Sequence, residues 1–102
     1  MVNIITPQHL STQLSSVQLI DVREPYERDI CSIGGINIPL AQLEERLGEL
    51  DPNQLTVVYC RSGGRSAKAC ELLLHAGFQQ VSNLEGGILR WQAEIDPKLT
   101  RY

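Results

Sequence analysis

Five consecutive residues in the middle of the chain, Leu55-Thr56-Val57-Val58-Tyr59, are nearly all apolar instead of alternating apolar with polar. A strand asks for that pattern when both of its faces are covered, and such strands belong to parallel sheets flanked by helices. The segments around it agree. Val17 to Val22 reads as a strand rich in β-branched residues that ends in charged Asp21, Arg23 and Glu24. Ile36 to Ile38 reads as a second, very short strand stopped by Pro39, and a further short strand lies around Gln80 to Asn83. Thr6 followed by Pro7 is a helix-start pair, which predicts a short helix from Pro7 to Leu14. Leu40, Leu43, Leu47 and Leu50 predict an amphipathic helix, with Glu44, Glu45 and Glu49 as its solvated face. Ala69, Leu72, Leu73 and Ala76 mark the buried stripe of another, stopped by Gly77. A final helix near Ile88 to Glu94 follows the Gly86-Gly87 turn, with Trp91 packing it on the sheet. Strands alternating with helices imply right-handed crossovers. The expected class is α/β, a mainly parallel central sheet with helices on both faces.

Composition narrows the function classes. At 102 residues, with 42% hydrophobic and 21% charged residues, the chain suits one globular core. Its net charge is −3 and its nine Lys and Arg are dispersed, so no nucleic-acid partner is expected. Apolar runs are short and the first residues lack a targeting pattern, so no membrane association is expected and a cytoplasmic setting is. Three cysteines, at 31, 60 and 70, are odd in number and lack Cys-x-x-Cys spacing. That fits neither a disulfide framework nor a metal site, and leaves a reactive thiol as the class to pursue.

Ligands of open parallel sheets sit beyond the carboxyl ends of the strands. This brings Asp21, Arg23, the loop after Tyr59 and Glu85 to Gly87 into one neighbourhood. In Cys60-Arg61-Ser62-Gly63-Gly64-Arg65-Ser66, two glycines let the backbone turn sharply so that successive N–H groups point inward as an anion nest. The nest opens into a helix N-terminus, whose partial positive charge favours thiolate over thiol at Cys60. Arg61 and Arg65 are expected to push the same way.

Four segments, in order, resemble the rhodanese-type sulfurtransferase family. They are Leu19-Ile20-Asp21-Val22-Arg23-Glu24-Pro25-Tyr26-Glu27, Ile36-Asn37-Ile38-Pro39-Leu40, Val58 to Ser66, and Gly77-Phe78 with Val81, Asn83 to Ile88 and Trp91. The resemblance implies a rhodanese-like domain over residues 1–96 with a loose tail at 97–102. It implies that Cys60 takes a sulfane sulfur from a donor such as thiosulfate, carries it as a persulfide, and passes it to a thiophilic acceptor without a bound cofactor. Cyanide is the acceptor in vitro, and a thiol or partner protein in the cell. A cysteine desulfurase or an activating enzyme of thiamine or molybdopterin sulfur chemistry is a partner by the same analogy. The amides of Arg61 through Ser66 would bind the persulfide. Arg61 and Arg65 would bind an anionic donor or else pair with Asp21 or Glu85, while Asp21 and Arg23 would brace the loop.

Where the family often reads Gly-His-Ile-Pro-Gly-Ala, Asp29 to Gly35 is shorter, with Ser32 near the usual histidine. Cys31 in that segment reads as an idle loop cysteine, with a second thiol near the site as the alternative, and Cys70 is expected to pack in the core. Two rival readings remain at this point. Cysteine-dependent phosphatases and arsenate reductases also use a Cys and an Arg on an amide-lined loop, but with five intervening residues where positions 60 and 65 here have four. Other domains of this fold are non-catalytic interaction modules, commonly without the cysteine.

Overall fold

The structure, a computed structural model, describes residues 2–102. Five strands run β1 (Asn3–Ile5), β2 (Gln18–Asp21), β3 (Ile36–Asn37), β4 (Thr56–Tyr59) and β5 (Val81–Leu84). They form one sheet in the order β1-β5-β4-β2-β3, every pairing parallel. Four helices accompany them: α1 (Pro7–Ser11), α2 (Pro25–Ile30), α3 (Gly64–His75) and α4 (Gly87–Glu94). The expected α/β class with a parallel sheet holds.

The central strand is covered on both faces, as its composition requires. On one face Ile20, Val22, Val58 and Cys60 pack with Ala69, Cys70 and Leu73 of α3 and with Leu43 and Leu50. On the other, Leu19, Val57, Tyr59 and Leu84 pack with Leu10 of α1 and with Ile88 and Trp91 of α4. From β2 the chain crosses by α2 to one edge, and from β4 by α3 towards the other. The reversal falls between β2 and β4, and the carboxyl ends at such a switch point leave a crevice. Cys60 follows β4 there, directly after Tyr59, which pairs with Asp21 at the end of β2.

Several elements differ from expectation. Strand β1 and helix α2 are additional to the predicted ones. The predicted helix from Pro7 ends at Ser11, because the hydroxyls of Ser11 and Thr12 donate to the carbonyls of Gln8 and His9 and compete with helix propagation. A 3-10 turn over Leu14–Ser16 follows. The predicted start is right: Thr6 Oγ1 accepts the His9 amide at 3.2 Å. The leucine-patterned segment is two 3-10 stretches, Leu40–Gln42 and Glu44–Glu49, with Arg46 outside helical geometry. Leu43 bonds back to Leu40 and Leu50 to Leu47, so the three-residue spacing of those leucines served 3-10 turns instead of an α-helix. No helix among the described residues is long and apolar enough to cross a membrane.

Candidate active site

Strand alternation puts Cys60 on the α3 face of the sheet, two residues beyond Val58. The chain then turns through Gly63, whose φ of +117° suits only glycine, and enters α3 at Gly64. That turn folds the loop around sulfur. Cys60 Sγ accepts from the Gly63 amide at 3.1 Å and the Ser66 amide at 3.4 Å, and the Ser66 hydroxyl lies 3.3 Å away. Burial alone pushes the thiol up, with only 1% of the residue exposed. Hydrogen bonds from the Ser66 hydroxyl and from the Ser66, Gly63 and Ser62 amides outweigh it and hold the Cys60 pKa below the ordinary value.

The Ser66 hydroxyl has one proton and three acceptors in reach: Cys60 Sγ, Asn83 Oδ1 at 2.5 Å and the Gly63 carbonyl at 3.2 Å. An anionic sulfur is the strongest of these, so the proton turns to Cys60 when the thiolate forms. Asn83 at the same time donates to the Gly63 carbonyl at 3.1 Å and pins the turn from the end of β5. The other wall is the start of α4. The amides of Ile88 and Leu89 donate to the carbonyls of Cys60 and Arg61 at 3.0 and 3.1 Å. Gly87, at φ +62°, lies so close to those carbonyls that a Cβ there would sit 2.4 Å from the Arg61 oxygen.

Both loop arginines are engaged, by partners other than the expected Asp21 and Glu85. Arg65 forms a two-pronged pair with Glu27 of α2, at 2.6 and 2.9 Å. The Arg65 guanidinium holds the buried Glu27 carboxyl down at about 2, against the upward push of burial. The Arg65 pKa is raised, first by Glu27 and more weakly by the Cys60 charge. Arg61 donates from Nε at 2.8 Å, and from Nη2, to the main-chain oxygen of Tyr102. Glu85 pairs instead with Arg90. Hydrogen bonds of the loop, more than its arginines, therefore lower the Cys60 pKa.

Asp21 and Arg23 form a fully buried pair on the opposite face of the sheet from Cys60, joined at 2.9 and 2.8 Å. They touch the loop only indirectly. Tyr59, the residue before Cys60, donates its hydroxyl to Asp21 Oδ2 at 3.1 Å. Arg23 Nη1 donates at 2.6 Å to the Tyr102 hydroxyl, which donates at 3.3 Å to Glu27, the partner of Arg65. Ser32 contacts Tyr59 at 3.4 Å.

The other cysteines differ in setting. Cys70 is wholly buried beneath Cys60, and burial, then the Cys60 charge, pushes its pKa up to about 12, so it stays a thiol. Cys31 lies just past the end of α2 and is buried, its sulfur 3.4 Å from Gln92 Nε2 and 4.0 Å from Arg23 Nη1. Sequence reasoning did not single out Glu27, Asn83 or Tyr102 as site residues. For Glu27 there was a helix-start signal, Glu24-Pro25 with Glu27 three residues after Glu24, and in the structure the Glu24 amide donates to Glu27 Oε1 at 3.0 Å.

The profile of the rhodanese-like domain family matches residues 6–94. The chain is 37% identical to a protein of Allochromatium vinosum named sulfurtransferase, over 89% of each. It is 38% identical to the Mycobacterium tuberculosis probable adenylyltransferase/sulfurtransferase MoeZ over 96% of this chain, which spans about a quarter (26%) of that relative's length. A rhodanese-related protein of Thermoplasma volcanium superposes with a TM-score of 0.86 at 35% identity, covering 91% of this chain and 93% of that one. With Cys60 cradled by its loop at the switch point of a five-stranded parallel sheet, the chain belongs to the rhodanese-like domain family and is homologous to sulfurtransferases.

Proposed function

We propose that the protein is a sulfurtransferase whose Cys60 carries the transferred sulfur. The observation that carries this reading is the cradle around Sγ, where the Gly63 and Ser66 amides and the Ser66 hydroxyl converge on one buried sulfur. Such a cradle favours an anion of one or two atoms and supplies donors without a proton transfer. The Cys60 thiolate attacks the outer sulfur of thiosulfate. A sulfur–sulfur bond forms to Cys60, the donor's own sulfur–sulfur bond breaks, and sulfite leaves with the electron pair. Cyanide in vitro, or a thiol in the cell, then attacks the terminal sulfur and returns Cys60 as thiolate. No oxidant or bound cofactor takes part, and the intermediate is covalent. Arg61 through Ser66 line the site, with Asp21, Arg23, Tyr59 and Asn83 behind it.

The phosphatase reading needs an arginine curled over a tetrahedral anion beside the cysteine. Arg65 is instead held by two bonds to Glu27, which supports sulfur over phosphate. The proposed partners are a small persulfide or thiosulfate donor, and in a cytoplasmic setting a cysteine desulfurase or a sulfur-accepting protein. The test is thiocyanate formation from thiosulfate and cyanide. Turnover by the native protein and its loss in Cys60→Ser support the reading. Equal rates in both proteins, or phosphate-ester hydrolysis that depends on Cys60, overturn it.

A further inference from the structure

The tail, expected to be loose, is folded back onto the domain. Asp96 turns it, with Leu99 N donating to its carbonyl at 3.2 Å, and Gln92 Nε2 holds the Thr100 carbonyl at 2.6 Å. Leu99 and Tyr102 pack on the α4 side of the core. Tyr102 then meets three charged groups at once. Its hydroxyl joins Arg23 to Glu27, its main-chain oxygen takes Nε and Nη2 of Arg61, and the Arg61 guanidinium carbon stands 5.1 Å from its ring centroid. Arg61 follows Cys60 directly and is exposed to solvent, so its guanidinium is open to an incoming oxyanion.

From this we infer that Tyr102 is a specificity-determining residue, which competes with anionic sulfur donors for the guanidinium of Arg61. A guanidinium binds an oxyanion through paired N–H groups. On Arg61, Nε and Nη2 are both spent on one Tyr102 oxygen, and the aromatic ring adds a cation–π contact. An oxyanion donor gains Arg61 only after Tyr102 moves, and its apparent affinity is reduced by the fraction of molecules in which Tyr102 has moved. Arg65 keeps its two bonds to Glu27 when Tyr102 leaves, and Glu27 loses only the Tyr102 hydroxyl. Arg23 keeps its Asp21 pair when Tyr102 leaves. The inference rests on the sulfur-transfer reading for its choice of ligand.

The test is calorimetric titration of thiosulfate into the full chain carrying Cys60→Ser, which binds without turning over. Tyr102→Ala keeps the main-chain oxygen but removes the hydroxyl bonded to Arg23 and Glu27 and the ring against Arg61, which together hold that oxygen in place, so adding it tightens binding about three- to tenfold. The same substitution has no effect when Arg61→Gln is present. Binding that weakens or is unchanged in Tyr102→Ala, or tightening that persists without Arg61, overturns the inference. A second measurement needs no change at Tyr102. In the Cys60→Ser chain, thiosulfate shifts the Arg61 Nε–H and Tyr102 ring resonances along one saturation curve. A Tyr102 ring unmoved at saturation overturns the inference even if Tyr102→Ala does not fold. Persulfide formation on native Cys60 is scored separately. Its absence refutes sulfur transfer, whereas persulfide formation with Tyr102-independent binding refutes only the role of Tyr102.

Discussion

Gly87→Ala tests whether the start of α4 sets the shape of the cysteine loop. The added Cβ would stand 2.4 Å from the Arg61 oxygen, 2.6 Å from its carbonyl carbon and 2.7 Å from the Cys60 oxygen. All three are backbone atoms, so no side chain can swing away. Restoring an ordinary carbon–oxygen contact of about 3.3–3.6 Å requires the loop to retreat by about 1 Å. That retreat stretches the Ile88 and Leu89 hydrogen bonds to the same carbonyls, now 3.0 and 3.1 Å. Alanine at φ +62° adds left-handed strain of about 1–2 kcal/mol, and overpacking of this kind costs about 1–3 kcal/mol. The expected loss is about 2–5 kcal/mol, a large part of the roughly 5–15 kcal/mol that holds a domain folded. Urea unfolding followed through the single tryptophan, Trp91, measures it. Gly48→Ala is the control, because nothing lies within 4 Å of its Cβ and its φ is not positive, and it should change stability by less than about 1 kcal/mol. The Gly87→Ala protein should also show a higher pKa in its thiosulfate kcat/KM profile, since the displaced loop withdraws amides from Cys60. A Gly87→Ala protein as stable as the Gly48→Ala control, with an unchanged profile, would refute this account of the loop.

Ser66→Ala removes the hydroxyl bond to sulfur and leaves the amides. A hydrogen bond to a charged acceptor is worth about 1.5–3 kcal/mol, or about one to two pKa units, so the inflection of kcat/KM against pH should move up by at least one unit, with much of the activity regained above it. An unmoved inflection would show that the hydroxyl proton stays with Asn83. Glu27→Gln should destabilise the protein at neutral pH by about 1–2 kcal/mol, allowing for solvent screening at Arg65, whose side chain is 37% exposed. Because the Glu27 pKa is lowered in the fold to about 2 from 4.5, its contribution is complete above the unfolded value and disappears as pH falls through the folded one. The gap in urea stability should therefore close between about pH 4.5 and 2, and a gap constant over that window would contradict the pairing. Cys70→Ala should cost about 1 kcal/mol of stability and leave thiosulfate turnover within about twofold, since Cys70 stays protonated under the loop. Turnover lost with the fold intact would make Cys70 part of the chemistry.

Much of this was legible in the residues because the informative signals were local. The unbroken apolar run before Cys60 implied a doubly covered strand, and the Gly63-Gly64 turn entering a helix implied amides aimed at sulfur. The parts that were not legible depend on contacts between distant segments. Strand β1 is three residues, Asn3–Ile5, whose pairing is made by β5, nearly eighty positions away. Glu27, Asn83 and Tyr102 reach the site from α2, β5 and the tail, and nothing local to any of them announces a partner around Cys60. The leucines at 40, 43, 47 and 50 were misread because three- and four-residue spacings fit an α-helix and a pair of 3-10 turns alike. Charge proximity in sequence also misled. Arg61 and Arg65 flank the loop, yet each is drawn away by a partner that neither spacing nor composition identified.

The central claim is that Cys60 alone accepts and releases a sulfur atom, and intact mass tests it most directly. The native protein and Cys60→Ser are each weighed before and after thiosulfate, and again after cyanide. A gain of one sulfur atom in the native protein, reversed by cyanide and absent from Cys60→Ser, is the predicted result. No gain in the native protein with thiosulfate, glutathione persulfide or a cysteine desulfurase as donor, or an equal gain in Cys60→Ser, would contradict it.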